Sequence, residues 1–387
     1  MHPHDPTHGS HSLPVELYRP IARFVDEKNA LCILCLASKT WYTEVMPSLY
    51  GSVSVSTGNY LDWCNTIIEK PFLGELVHSF SIIFLPKRKR DINYLVIRLA
   101  LALRNLINLE TLAISNGEGC EITTCQVLPA FVACSLDLRR FDCQIPWPYP
   151  SDIMTLFAFL ERRPGITEFY CEPEHPDLYT PREVIVPVPL LANLTHLSCS
   201  VDLFTGLTVT PALESLQVDC GAGVEPQLLL STLIRVQKTL RNLCLRRSTP
   251  SPFLFASEQI LAGDVVRRIA EGVPMLHSLC VHDDSMRTYV RRSQLDDLVS
   301  SFAQFPQLEI ISCSSYAHKS TVLIPPIDPF ALSPIEVAGR FLGALPSVRT
   351  VTIPVWDRSQ LCYARSGVSS SPVLGTTCEE TCLGCRP

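Results

Sequence analysis

The sequence predicts an α/β solenoid, in which helices alternate with short parallel strands, preceded by a small unit of three helices. Two observations support this prediction. A pattern of three apolar residues, spaced apolar-x-x-apolar-x-apolar, returns ten times after residue 75, and a helical apolar pattern precedes many of the copies. Residues 13–53 differ, because their apolar positions recur at helical spacing.

The ten copies mark the predicted strands. They start at Val77, Leu109, Leu138, Ile166, Leu194, Leu213, Leu240, Leu276, Leu308 and Val348. Several of the steps between them fall close to the period of about 20–29 residues that is typical of leucine-rich repeats, and others are longer. The last two apolar positions of each copy are two residues apart, so they share one face of a strand.

Helical patterns lie between the strands. They occupy residues 91–106, 151–164, 227–240, 263–274, 294–306 and 333–346. Strands that alternate with helices pair in parallel, and stacked repeats cover one another's apolar faces. We therefore expect an irregular leucine-rich-repeat solenoid with a mostly parallel, curved sheet. The short step from Leu194 to Leu213 leaves no room for a helix, and Pro187 and Pro189 predict an irregular crossing just before it.

The predicted organisation has four parts. Residues 1–12 form a disordered tail, residues 13–53 the helical unit, residues 54–356 the repeat array, and residues 357–387 an irregular tail rich in Cys, Ser and Gly.

Composition narrows the classes of function. Apolar residues make up 47% of the chain and charged residues 18%, which is typical of a well-buried globular protein. The net charge of -6 provides no basic surface for nucleic acid, and no apolar run reaches the roughly 18 residues that span a membrane. The N-terminus lacks the pattern of a signal peptide, so we expect a cytoplasmic or nuclear protein whose 17 cysteines are structural thiols.

The helical unit has an ordered pattern of its own. Leu13-Pro14 and Glu16-Leu17 are followed by Ile21, Phe24-Val25, Leu31, Leu34 and Leu36, then by Ser38-Lys39-Thr40-Trp41, and finally by Leu49-Tyr50. This order resembles an F-box. Its combination with degenerate leucine-rich repeats resembles the repeat-bearing F-box proteins that are common in basidiomycete fungi.

The resemblance implies a substrate-recognition subunit of a Skp-cullin-F-box ubiquitin ligase. The helical unit would bind the Skp-type adaptor and through it the cullin core, while the repeats would bind an unidentified protein substrate. The residues carried over as adaptor contacts are Leu13, Pro14, Leu17, Ile21, Leu34, Leu36 and Trp41. Such a chain is not an enzyme, needs no cofactor or metal, and contacts neither nucleic acid nor membrane.

The same residues allow a second interpretation. Three short helices carry more apolar surface than they can bury among themselves, and this surplus could dock on the first repeat as the cap that a solenoid needs. The chain would then be a non-catalytic interaction scaffold without a ligase partner. Exposure of Leu17, Ile21 and Trp41 distinguishes the two interpretations.

Prolines shape the predicted helices of this unit. Pro14 suits a first helical position, where its missing N–H is not needed. Pro20 should kink the first helix or delay the start of its regular part, and Pro47 should close the third helix.

Other motifs predict no chemistry. The chain has no GxSxG, Walker, HExxH or Rossmann motif, and so no catalytic residue is assigned. Residue types that bind metals occur at His2, His4, His8 and His11 and at Cys362, Cys378, Cys382 and Cys385. A metal site is one interpretation of each group, and we expect instead a tail and an irregular terminus that bind nothing specific. The basic run 87–90 allows two interpretations, a nuclear import signal or a solvated turn, and we expect the turn. We also expect solvated charges in the acid pairs 283–284 and 296–297.

The predicted strands also offer polar positions for a protein target. Arg139, Arg140 and Asp142 lie in one copy of the pattern, and Arg241 and Asn242 lie in another. Because side chains alternate between the two faces of a strand, some of these residues face away from the repeat core.

Overall fold

The structure is a computed structural model of the 387-residue chain. It describes residues 13–56, 58–85, 92–117, 119–120, 122–132, 134, 136–147, 149–171, 191–207, 211–220, 226–247, 262–283, 292–314, 332–354, 360–365 and 372–374. The chain forms two compact units: residues 1–122 with 126–138, and residues 123–125 with 139–387.

Helices come first, and strands alternate with helices thereafter. Residues 13–138 contain a 3-10 turn at Val15–Leu17, then α1 (Tyr18–Arg23), α2 (Lys28–Ala37), α3 (Lys39–Tyr50), β1 (Ser52–Ser56), α4 (Tyr60–Glu69), α5 (Pro71–Gly74), β2 (Ser79–Phe84), α6 (Ile92–Leu103), β3 (Thr111–Asn116) and α7 (Thr124–Val132).

The remaining elements continue this alternation. They are β4 (Arg140–Gln144), α8 (Pro150–Glu161), β5 (Glu168–Cys171), β6 (His196–Ser200), α9 (Val201–Thr205), β7 (Ser215–Cys220), α10 (Pro226–Val236), β8 (Asn242–Arg247), α11 (Ala262–Gly272), β9 (Ser278–Asp283), α12 (Arg292–Phe302), β10 (Ile310–Ser314), α13 (Pro334–Ala344), β11 (Thr350–Pro354), β12 (Gln360–Arg365) and β13 (Pro372–Leu374). No helix among the described residues is long and apolar enough to cross a membrane.

Every predicted repeat copy contains a strand, β2 to β11, which confirms the α/β repeat fold. Within the first unit β1, β2 and β3 pair in parallel in chain order, and within the second unit β4 to β11 do the same. The register aligns the copies position by position: Phe80 is opposite Leu112, and Leu243 is opposite Leu279. Each copy of the pattern is therefore one structural repeat.

The pattern residues form the core because strand alternation turns them to one side. In the copy at Leu138, the side chains of Leu138, Phe141 and Cys143 are buried. The Phe141 ring lies 4.5 Å from that of Phe159 on α8 and 5.8 Å from that of Phe169 on β5. Each large side chain buried in this way contributes about 1.5–3 kcal/mol.

Most of the described cysteines behave as core hydrophobes, as predicted. The described cysteines are free thiols, and those on the strands are buried. Burial raises the pKa of Cys143 and of Cys313 to about 12, and it also raises that of Cys171. These thiols therefore stay protonated and neutral near pH 7, as an apolar interior requires.

Several elements were not predicted. Strand β1 lacks the apolar triplet of the repeats, and α7 contains Pro129, which normally reads as a helix breaker. The prediction that no helix fits between β6 and β7 is wrong, because the short helix α9, of five residues, lies there. Within the predicted irregular tail, β12 pairs antiparallel with β11, and β13 pairs antiparallel with β12.

The prolines of the helical unit act differently from one another. Pro14 precedes the 3-10 turn, and regular helix begins only at Tyr18, so the predicted late start near Pro20 is confirmed. The prediction that Pro47 ends the third helix is wrong, because α3 continues to Tyr50 with Pro47 inside it. Buried Val45 and Met46 hold the chain at this point, and the Gly51 N–H donates to the Pro47 carbonyl at 2.8 Å.

Candidate functional site

The helices of residues 13–50 enclose a small core of their own. Ala22 on α1, Leu31 on α2 and Val45 on α3 are buried together. Partly buried apolar side chains surround these three: Val25, Leu34, Cys35, Trp41 and Leu49. The Trp41 ring packs edge-to-face on Tyr18 with 4.3 Å between the ring centroids, and so α1 and α3 are joined by aromatic contact.

A second set of apolar side chains, on these helices and the residues that flank them, is exposed to solvent. We call it the exposed apolar set: Leu13, Val15, Leu17, Ile21, Phe24, Ile33, Leu36 and Tyr42. Phe24 is 89% exposed, Leu36 87% and Ile33 68%, so these side chains contribute almost nothing to the core of the isolated chain. Large exposed apolar surfaces are uncommon on monomeric proteins and mark sites of interaction.

The predicted adaptor contacts divide between the two sets. Leu13, Pro14, Leu17, Ile21 and Leu36 are exposed. Leu34 and Trp41 pack against the small core, where they position α2 and α3. Five of the seven predicted contacts are therefore exposed and accessible to a partner, and the other two support the helices that carry them.

Sequence reasoning left four members of the exposed apolar set outside the predicted contacts: Val15, Phe24, Ile33 and Tyr42. A signal for Ile33 was present in α2, KNALCILCLA, which is apolar around most of its circumference. A helix buries only one stripe against its neighbours, and so an apolar residue off that stripe is left exposed. Leu31, Leu34 and Cys35 mark the buried stripe, and Ile33 and Leu36 lie off it.

Charged residues border the exposed apolar set. A shallow groove is lined by Val15, Glu16, Arg19, Pro20, Arg23 and Glu44. The Arg19 Nε lies 3.1 Å from the Glu44 Oε2, which ties α1 to α3 at the surface. Such an arrangement, with apolar residues beside an ionic rim, is the usual anatomy of a protein–protein contact.

In the second unit, polar side chains gather where β4 and β5 pair. The Arg140 guanidinium lies 4.4 Å from the centroid of the Tyr170 ring, and its Nη1 lies 3.4 Å from the Glu168 Oε2. The Tyr170 hydroxyl donates to the same carboxylate at 3.4 Å, and burial raises the Tyr170 pKa. Arg139 and Arg241 are exposed, whereas Arg140, Asp142 and Asn242 are partly buried.

Further along the sheet of this unit, the strand face away from the core is less open than the sequence predicts. The middle residue of each strand from β6 to β11 is buried on that face: Ser198, Gln217, Cys244, Cys280, Ser312 and Thr352. Strands β4 and β5 instead alternate between buried and partly buried residues. The partly open strand surface of this unit therefore lies at β4 and β5.

The remaining sequence candidates are placed as follows. The histidines of the N-terminal tract, the basic run 87–90, residue 284 and Cys378, Cys382 and Cys385 lie outside the described residues. Cys362 is buried on β12. Asp297 and Asp296 on α12 pair with arginines on the neighbouring helices, at 3.0 Å to Arg267 and 3.8 Å to Arg340.

Comparison with known proteins gives structural similarity only. No protein-family model matches the chain, and no curated protein matches it. The leucine-rich repeat-containing protein LegL7 from Legionella pneumophila is similar at a TM-score of 0.42 and 13% identity, over 80% of this chain and 84% of that one. A protein from Bacteroides fragilis is similar at a TM-score of 0.35 and 11% identity, over 78% and 73%. The fold description therefore stands on the strands and register of this chain.

Proposed function

We propose that the chain is a non-catalytic recognition subunit of a Skp-cullin-F-box ubiquitin ligase, in which residues 13–50 bind the Skp-type adaptor. The observation that supports this proposal most strongly is the exposed apolar set, carried by helices whose own core is already filled by Ala22, Leu31 and Val45. The F-box-like order of the same residues supplies the identity of the partner.

Binding of the adaptor would bury the exposed apolar set. Complete burial of a Phe, Leu or Ile side chain is worth about 1.5–3 kcal/mol. Phe24, Ile33 and Leu36 are each more than two-thirds exposed, so an interface that covers them recovers most of this value. A few such residues dominate the affinity of a typical interface.

The cap interpretation requires the same side chains to be covered by the repeats. Leu17 is 45% exposed and Ile21 38% exposed, although residues 13–122 belong to one compact unit. Trp41 is partly buried, yet its contacts lie within the helical unit. These exposures favour the adaptor over the cap.

Target binding is assigned to the partly open strand surface at β4 and β5. Arg140, Glu168 and Tyr170 combine a charge of each sign with an aromatic ring, and Arg and Tyr are enriched in binding hot spots. A chain that holds a target here and an adaptor at residues 13–50 catalyses nothing itself. It acts by raising the local concentration of target lysines near the conjugating enzyme.

Copurification with the adaptor tests the proposal. The wild-type chain should retain the Skp-type adaptor on an affinity column, and the double variant Leu13→Ala, Pro14→Ala should lose most of it. Phe72→Ala is the matched control, because Phe72 is also exposed, at 53%, but lies on α5. Adaptor binding that is absent in the wild type, or unchanged in the double variant, would leave the interaction scaffold as the better account.

A further inference from the structure

The repeat register of the second unit brings two thiols together. Cys244 on β8 and Cys280 on β9 both follow the second apolar residue of their copies, Leu243 and Leu279. These leucines are opposite each other in the parallel pair, and so are the two cysteines. Both cysteines lie on the face away from Leu243 and Leu279, because consecutive strand residues alternate between faces.

A histidine completes the group. His282 lies two residues after Cys280 on β9, and so it shares that face. Its Nε2 is 3.1 Å from the Cys280 Sγ, and the ligand atoms of all three residues lie within 4.8 Å of one another. Cys244 is 6% exposed, Cys280 4% and His282 6%.

We propose that Cys244, Cys280 and His282 bind a thiophilic metal ion, for which Zn²⁺ is the test case. Two thiolates and one imidazole are ligands that zinc prefers, and two deprotonated thiols balance the charge of a divalent ion in a buried place. Ligands about 2.1–2.3 Å from a tetrahedral ion are roughly 3.6 Å apart, so these side chains reach an ion with small rotations.

A neighbouring hydroxyl supports the site independently. Ser312 on β10 lies opposite Cys280 in the parallel register and is 1% exposed. Its Oγ is buried without a hydrogen-bond partner among the described residues. An unpaired buried hydroxyl costs about 1–3 kcal/mol, and a thiolate or a metal-bound water beside it would accept its proton in a hydrogen bond.

The cysteines of the repeat core provide the contrast. Cys313 is also buried on a strand, but it sits at the third apolar position of its copy, on the core face of β10. Cys143, Cys171 and Cys199 occupy the same pattern position in their copies. Cys244 and Cys280 alone among the described strand cysteines occupy the position between the second and third apolar residues.

The experiment uses the full chain with the other ligand-rich segments removed. His2, His4, His8 and His11 are changed to Ala and Cys378, Cys382 and Cys385 to Ser, so that they cannot bind metal. The reduced protein is incubated with Zn²⁺, desalted and analysed for bound metal. We expect about one zinc per chain in this background, loss of that zinc in Cys244→Ser and Cys280→Ser, and its retention in the matched control Cys313→Ser.

Two results would overturn the site. One is a background protein that retains no zinc, and the other is zinc that persists when Cys244 and Cys280 are both serine. If a serine variant fails to fold, Cys244→Ala and Cys280→Ala replace it in the same zinc measurement, and they too should lose the zinc. Co²⁺ should produce the visible absorption of a thiolate-bound ion, release protons on binding and raise Tm, and a flat spectrum would refute the proposal.

Discussion

The helical unit and the repeats use apolar residues in opposite ways. In the repeat that begins at Leu138, the pattern residues Leu138, Phe141 and Cys143 are buried, and neighbouring repeats cover them. In the helical unit, Ala22, Leu31 and Val45 form a small core, while Phe24 and Leu36 remain almost fully exposed. The repeats use their apolar surface for their own stability, whereas the helical unit leaves part of its apolar surface exposed, and we propose that a partner covers it.

The largest expected effect compares two phenylalanines across these regions. Phe141→Ala removes a buried ring that contacts Phe159 and Phe169, and it should lower the free energy of unfolding of the second unit by about 3–5 kcal/mol. Phe24→Ala removes an exposed ring and should change stability by less than about 0.5 kcal/mol. Urea unfolding followed by circular dichroism measures the free energy of unfolding of both variants. Equal decreases would contradict the difference between the two regions.

A buried carboxylate gives the next largest effect within the repeats. Asp152 on α8 accepts hydrogen bonds from the Cys125 N–H at 2.8 Å, the Tyr149 N–H at 3.2 Å and the Thr124 hydroxyl at 3.2 Å. Asp152→Ala leaves the two N–H donors without their acceptor, although the Thr124 hydroxyl keeps the backbone carbonyl of residue 152, and it should lower the free energy of unfolding by about 1.5–3 kcal/mol, measured in urea. Asp137→Ala, at an exposed aspartate, is the control and should be close to wild type. A wild-type midpoint for Asp152→Ala would contradict the assignment.

A smaller effect is expected at the helix cap of the helical unit. The Ser38 Oγ accepts a hydrogen bond from the Trp41 N–H at 3.1 Å, and it caps α3. Ser38→Ala should destabilise α3 by about 1 kcal/mol, read as faster amide exchange at Trp41 and Tyr42. Thr40 is exposed and lies two residues after Ser38, and Thr40→Ala should leave the amide exchange rates unchanged. Unaltered exchange in Ser38→Ala would show that α3 is held by packing alone.

The smallest effect concerns the surface ion pairs between repeat helices. The Asp297 Oδ1 lies 3.0 Å from the Arg267 Nη2, and both side chains are more than one-third exposed. Asp297→Asn should cost less than about 1 kcal/mol, because solvent screens such pairs, and the difference should shrink in high salt. A loss that is larger and independent of salt would mean that α11 and α12 depend on this charge.

Periodicity predicted most of the repeats, because the apolar triplet places apolar side chains on one face of a strand, and a helix must cover that face. The pattern placed every strand from β2 to β11 near its observed residues, and six of the helices between them. It missed β1, whose Ser-Val alternation in 52–56 lacks the leucine-like triplet, and it missed α7, where Pro129 interrupts the helical reading. The alternation of β1 is an ordinary strand pattern with Val53 and Val55 buried, whereas at Pro129 the helix forms against the local preference.

The candidate sites divide along the same line. The identity of the exposed residues could be predicted only in part, because whether Leu34 or Leu36 faces the core depends on how α2 rotates against its neighbours. The group of Cys244, Cys280 and His282 could in principle have been predicted from the sequence. Aligned copies place the two cysteines side by side, but only the observed strand pairing confirms the register.

The central claim is that the exposed apolar set binds a partner, and one affinity measurement tests it most directly. Titration calorimetry with the purified Skp-type adaptor should give a Kd at least tenfold weaker for Leu36→Asp than for wild type, equivalent to about 1.4 kcal/mol. Ile97→Asp is the control, since Ile97 is 59% exposed on α6 and should bind as wild type. Equal affinity of Leu36→Asp and Ile97→Asp would contradict the account.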